Sequence, residues 1–311
     1  PHLCPRRFPC TAALAHIMDT RPAFPARWFP LLLAAPQMLI VFLFFLWPAV
    51  KAIAWSFYLV RPFGNGSRFV GLDNYLRILT DDGFYASLRA TLVFTAGSTL
   101  LAVTLALALA ACLELDVRAK RLLRSIFIWP YAVAGVVVGI VLKVLINPVT
   151  GLLAFLNHLW PGLWAPHLAG QQAMLVLIAA FAWTQVPLNF ILFSAALQRI
   201  PADLTGAAAI DGAGPWRRFM DIQLPMIAPA LLLAGVLNVI EAFTHGFGLV
   251  DALTQGGPGR STAILAYQIY SDGFIGLDLS GSSALSVILM LFIVALTVLQ
   301  LRFFRQGAGR W

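Results

Sequence analysis

Two stretches of this chain, Phe29–Val50 and Ala90–Leu113, contain no charged residue at all. The hydrocarbon core of a bilayer is roughly 30 Å thick and takes about 20 mostly apolar helical residues to cross. Both stretches meet that length, and no soluble fold needs them. Four further segments follow. Ser125–Ile146 is interrupted by Lys143, and Ala173–Leu197 carries Gln185 and Asn189 but no charge. Pro225–Val250 is interrupted by Glu241, and Ser280–Leu301 closes the set. The expected fold class is an all-α polytopic membrane protein with six transmembrane helices.

Composition points the same way. Apolar residues make up 60% of the 311 and charged ones only 11%, too little polar surface for a soluble domain of this size. The net charge of +8 raises the question of nucleic acid. The arginines, however, lie between apolar runs and form no basic domain, so membrane topology accounts for them and no nucleic-acid partner is expected. Cys4, Cys10 and Cys112 give no paired framework, and Cys112 reads as a small packing residue.

Lysine and arginine placement sets direction. With the N-terminus inside, the inner segments hold Arg21, Arg27, Arg118, Lys120, Arg121, Arg124, Arg199, Arg217, Arg218, Arg302, Arg305 and Arg310. The outer loops keep Arg61, Arg68, Arg77, Arg89 and Arg260, partly offset by Asp73, Asp81 and Asp82. Asn147–Gln172 has neither lysine nor arginine and reads as external. Both termini are therefore expected in the cytoplasm of a multi-pass protein. Residues 1–28 form an N-terminal tail, 29–303 the transmembrane domain and 304–311 a C-terminal tail. Met18 offers an alternative start, which would leave 1–17 outside the fold.

The segment Ala207–Pro225, AAAIDGAGPWRRFMDIQLP, is polar, basic and punctuated by glycine between two apolar runs. Pro201 suits a helix's first turn, and Asp203 puts a carboxylate near its positive end. Asp211, Gly212 and Gly214 can stop that helix. Pro215 then opens a second one carrying Trp216, Arg217, Arg218 and Phe219, and Leu224–Pro225 is expected to redirect the chain into the membrane. On composition alone, this is a positive-inside loop with Trp216 and Phe219 resting on lipid headgroups.

The same segment resembles the EAA loop of the permeases of binding-protein-dependent ABC importers. RWFPLLLAAPQ (27–37), FVGLDNY (69–75), WPYAVA (129–134), NPVTGLL (147–153), GGP (256–258) and YQIYSDGFIGLDLSGSSALS (267–286) extend the likeness to the sugar-type permeases, from about Arg21 onward. The resemblance implies a MetI-like, type I ABC importer transmembrane domain, translocating by alternating access in a bacterial inner (cytoplasmic) membrane. It implies sn-glycerol-3-phosphate as cargo, with a sugar as the alternative. It also implies a coupling loop over 201–225, with Gly206, Ala207, Ala208, Asp211, Gly212, Gly214, Arg217, Arg218, Leu224 and Pro225 facing the ATPase. The chain departs from the pattern at Gly206, where the loop's leading glutamate belongs. The implied partners are a second, related permease in a heterodimer, two ATP-binding subunits, a periplasmic or extracellular substrate-binding protein and membrane lipid.

The sequence itself assigns no catalysis to this chain. No GxxxxGK[ST] occurs, so ATP and Mg are expected on the partner subunits. No HExxH, paired CxxC or GxSxG motif is present, so no catalytic, cofactor or metal residues are expected. Polar residues inside spans are the remaining candidates. Asn238, Glu241 and His245 fall at helical spacing on the fifth span. Either they line a translocation path, with Asn189 opposite on the fourth span, or they hydrogen-bond between helices. A secondary transporter is the rival class, and it would more often show internal repeats.

Overall fold

In hydrocarbon the backbone has no water to bond, so a spanning segment must satisfy its own N–H and C=O groups. The computed structural model accordingly is almost entirely helical, and it describes residues 29–60, 66–114, 120–160 and 162–308. The N-terminal tail, including the expected extension 1–17, lies outside the described residues, as do 309–311. The chain divides into two units, residues 1–51 and 52–311.

The first unit holds α1 (Phe29–Val41), a π-helical turn at Phe42–Leu46 and the first half of α2 (Trp47–Ser56). Trp47 N–H reaches back five residues to Phe42. Pro48 follows at once, and its ring would crowd an ordinary turn, so the wider turn makes room for it. The large apolar side chains here, Phe44 and Phe45 among them, are exposed, as suits lipid. Lys51 folds over the Trp47 ring.

The second unit begins with a feature outside the all-α expectation. Strands β1 (Tyr58–Val60) and β2 (Ser67–Phe69) form an antiparallel ribbon, with Leu59 paired to Arg68. Helix α3 (Asp73–Leu79) pins this ribbon to the end of α2. Asn74 donates to the Ser56 and Tyr58 carbonyls at 2.8 and 3.2 Å, and the Tyr75 hydroxyl donates to Ser56 Oγ.

Then come α4 (Asp82–Glu114), α5 (Lys120–Ile128), α6 (Gly135–Leu145), α7 (Ala154–Leu159) and α8 (Gly170–Leu197). The third apolar segment is not one straight helix. Its halves meet at 97°, through a 3-10 turn at Trp129–Ala132 and extended backbone at Ala134. Pro130 cannot donate to a helical ladder, which breaks there. Among the described residues, five helices are thus long and apolar enough to span, or six with the bent pair as one.

The core is layered along the bundle. At one end, Ala90 and Phe94 of α4 pack with Met174, Leu177 and Phe181 of α8. Leu249, Val250 and Leu253 of α12 (Ala228–Leu253) complete that layer. At the other end, Ala106, Ala110 and Leu113 meet Phe190, Phe193 and Leu197, with Ile227 and Ala234. Helices α4 and α8 therefore run in the same direction and α12 runs against them. A third cluster joins Phe84 and Phe243 to Ala284, Leu285 and Leu289 of the final helix, α14 (Leu279–Ala308). Between α12 and α14, the chain folds through α13 (Leu265–Tyr270) and a π turn, Ser271–Ile275.

Candidate functional site

The loop between α8 and α12 forms at the end of the bundle marked by Leu113, Leu197 and Ile227. Pro201 caps helix α9 (Ala202–Ile210), and Asp203 lies in its first turn. The helix stops as its sequence requires. Gly212 has φ +82°, Ala213 N–H bonds the Ala208 carbonyl at 2.9 Å, and Gly212 N–H bonds Ala209 at 3.1 Å. That pair of bonds is a Schellman cap, which needs a left-handed residue where glycine stands. Gly214 then caps α10 (Pro215–Arg218), with Pro215 in the first turn.

Leu224–Pro225 does not redirect the chain as expected. A π turn over Phe219–Gln223 carries the helix through Pro225 into α11 (Leu224–Met226), with Leu224 N–H bonded to Phe219. The wider turn again precedes an X-Pro step and relieves the clash that would otherwise end the helix. The helix is interrupted instead at Ile227, whose backbone leaves helical geometry and whose side chain is buried in the core.

No residue of α9 is buried. Ile210 is 88% exposed, and Trp216 and Leu204 are exposed too. Around Gly206, Ala207 and Ala208 the surface is small and apolar, and a Cβ added at Gly206 would meet nothing within 4 Å. Arg218 ties the two short helices together by donating to the Thr205 carbonyl at 3.5 Å. Arg217 pairs with Asp221 at 3.3 Å in full view of solvent, an interaction of small worth.

The polar residues of the spans divide into two groups. Asn189 and Asn238 are both buried and bond each other across α8 and α12, and Asn238 also donates to the Ala234 carbonyl at 2.7 Å. Glu241 and His245 are less covered. Their side chains meet at 2.8 Å on a face where His245 is 72% exposed, and Thr244 Oγ1 lies 3.0 Å from the same ring. A helix turns by about 100° per residue, so Glu241 lies about 60° around from Asn238, whereas His245 lies nearly in line with it and differs in being left open two turns further along.

The opposite end of the bundle carries charges that the sequence did not pair. Arg77 and Asp278 form an ion pair at 2.5 Å across 201 residues. Thr91 of α4 accepts from Leu265 N–H at 2.8 Å, which anchors α13. Lys143, in the last turn of α6, lines a cavity with His167 and Pro258. Arg260, Tyr267, Gln268 and Asp272 line another of about 180 Å³. Burial raises the Asp272 carboxyl above its ordinary range, with Gln268's hydrogen bond and the Arg260 charge pulling against it. Residues so far apart in sequence leave no local signal from which the pairing could be read.

Spanning helices on a layered core, with an exposed two-helix loop between the fourth and fifth, define a polytopic helical membrane protein. The profile of the family "Binding-protein-dependent transport system inner membrane component" matches residues 102–306, and the chain belongs to that family. It is 43% identical over 285 residues to the sn-glycerol-3-phosphate transport system permease protein UgpA of Escherichia coli O157:H7, covering 92% of this chain and 97% of the relative. The UgpA proteins of Agrobacterium fabrum (42%, covering 90% and 96%) and Yersinia pseudotuberculosis (44%, covering 91% and 97%) are similar to it as well. A crystal structure of a bacterial ABC transporter involved in the import of the acidic polysaccharide alginate superimposes with TM-score 0.76 at 19% identity, covering 90% and 96%. The same transporter in complex with an alginate pentasaccharide-bound periplasmic protein gives 0.74, covering 90% and 94%. The fold is that of an ABC importer transmembrane domain.

Proposed function

We propose that this chain is the non-catalytic permease subunit of an ATP-driven importer for sn-glycerol-3-phosphate. The observation that carries the reading is 43% identity to UgpA across 92% of the chain. In it, two ATP-binding subunits hold ATP and Mg, a second permease completes the channel, and an external binding protein delivers the cargo. Both termini are cytoplasmic, and residues 201–225 receive the ATPases.

The exposed small-residue face of α9, with Ile210 projecting at its end and Trp216 exposed on α10, supports the coupling role. A capped helix seated in a groove moves as a body, so closure of the ATPases is passed to α8 and α12 instead of being absorbed. The Glu241–His245 face supports a path. A polar pair on an exposed side of a span is costly against hydrocarbon and is usually found facing water or protein. We place it on the water-filled route between this chain and the second permease, where Glu241 is paired and does not repel a phosphate outright.

The test is uptake by proteoliposomes that hold both permeases, the ATPases and the cognate binding protein. Labelled sn-glycerol-3-phosphate should accumulate only with internal ATP and binding protein. Accumulation of a disaccharide in its place would overturn the cargo assignment, and accumulation without ATP would overturn the class.

A further inference from the structure

A third cavity takes no part in coupling or in the path. It has a volume of about 700 Å³ and lies where the first turns of α4 and α8 run side by side. Its upper part is electropositive. Arg89 of α4 and Arg260 of the α12–α13 loop both reach it, no carboxylate lines it, and neither arginine forms an ion pair among the described residues. Asp272 acts on Arg260 from the neighbouring cavity without pairing to it. The start of α8 adds to the same field, because no side chain caps it and its free N–H groups carry partial positive charge. Ser261 Oγ, packed against Gly170, is buried there with no partner.

The lower part is apolar. Val93, Leu175 and Ile178 line it, with Leu175 and Val93 exposed, so the slot opens sideways. Lining positions recur three, four and seven residues apart on each helix, so the slot follows the helix axes for roughly 10 Å.

We propose that this groove binds an anionic glycerophospholipid of the adjoining leaflet. Its phosphate lies between Arg89, Arg260 and the start of α8, and one acyl chain fills the slot past Leu175 and Ile178. A free phosphate ester would match the arginines but not the apolar slot. A helix from another chain would match the slot but would cover Arg89, which pairs with no carboxylate among the described residues. Only an amphiphile with a negative head matches both.

The test uses the assembled transporter in non-ionic detergent, with retained lipid counted by native mass spectrometry. Phosphatidylglycerol should be retained in preference to phosphatidylcholine. Arg89→Gln with Arg260→Gln should cut that retention by about thirtyfold, as expected for two cationic contacts. Leu175→Trp fills the slot with both arginines in place, so it tests the site even where the arginine variant fails to assemble, and it too should lose the lipid. Equal retention by wild type and Leu175→Trp overturns the proposal. Displacement of phosphatidylglycerol by excess inorganic phosphate also overturns it, by assigning the arginines to a soluble anion.

Discussion

Asn189 and Asn238 exchange two hydrogen bonds between α8 and α12, at 3.1 and 2.8 Å, and neither side chain reaches the surface. Truncating one leaves the other's amide buried without its partner. Asn189→Ala should therefore destabilise the fold by about 1–2 kcal/mol. The double alanine variant should cost less than the sum of the two single ones, because the second truncation removes the orphaned group. Thermal unfolding of the four-member cycle in one detergent measures this. Strict additivity would mean that the two amides do not act as a unit.

Ile210 is the most exposed large apolar side chain of the coupling loop. Ile210→Asp should weaken retention of the ATP-binding subunits by about thirtyfold, the loss of an interface residue worth roughly 2 kcal/mol, while the permease pair stays together. Pull-down of the ATPases on tagged permease reads this out. Undiminished recovery would place the docking surface elsewhere.

Open space surrounds Gly206, and a glycine inside a helix costs roughly 1 kcal/mol relative to alanine. Gly206→Glu restores the carboxylate of the family pattern without a clash. Substrate-stimulated ATPase activity of the assembled complex should be preserved or raised. A large fall would show that this loop meets its partner in a different way.

Burial holds the Asp272 carboxyl above its ordinary range, so the folded state favours the protonated form. The resulting stabilisation is present below the ordinary carboxylate pKa and is lost as pH rises through the raised one. Asp272→Asn keeps the acceptor for Gln268 but removes the charge. It should match wild type in acid and exceed it in thermal stability at neutrality. Melting curves of the complex from about pH 4 to pH 7 check this, and a difference that does not vary with pH would contradict it.

A Cβ placed at Gly170 would stand 2.5 Å from both Cβ and Oγ of Ser261. Gly170→Ala should thus destabilise by about 1–3 kcal/mol, and Ser261→Gly in the same chain should recover most of that loss. The recovery separates a steric origin from a general weakening of α8.

The sequence made the spans legible because hydropathy sums over a window and tolerates errors at either end. The same summation hides a bend, so Ser125–Ile146 read as one segment although Pro130 and Ala134 break it. The cap at Gly212 was legible because a left-handed turn demands a particular residue at one position. The turn at Ile227 was not, since a π turn let the helix run through Pro225 where proline chemistry alone predicts a stop. Pairings such as Arg77 with Asp278 depend on which helices become neighbours. The polar stripe on α12 was visible as a pattern, yet only the placement of α8 shows that Asn238 is covered by Asn189 while Glu241 and His245 are not.

The 97° bend between α5 and α6 bears on how this protein is made. Helix α6 has 11 residues and is about 16 Å long, so neither half crosses a roughly 30 Å core alone. Broken backbone at membrane depth is tolerated only where protein surrounds it. Here that protein comes from later segments: Phe127 meets Phe190 of α8, and Gly139 of α6 lies against Ala252 of α12. The third segment therefore gains its surroundings only once α8 and then α12 have been made. A bend of this kind makes the third segment's place in the membrane depend on partners that follow it in the chain.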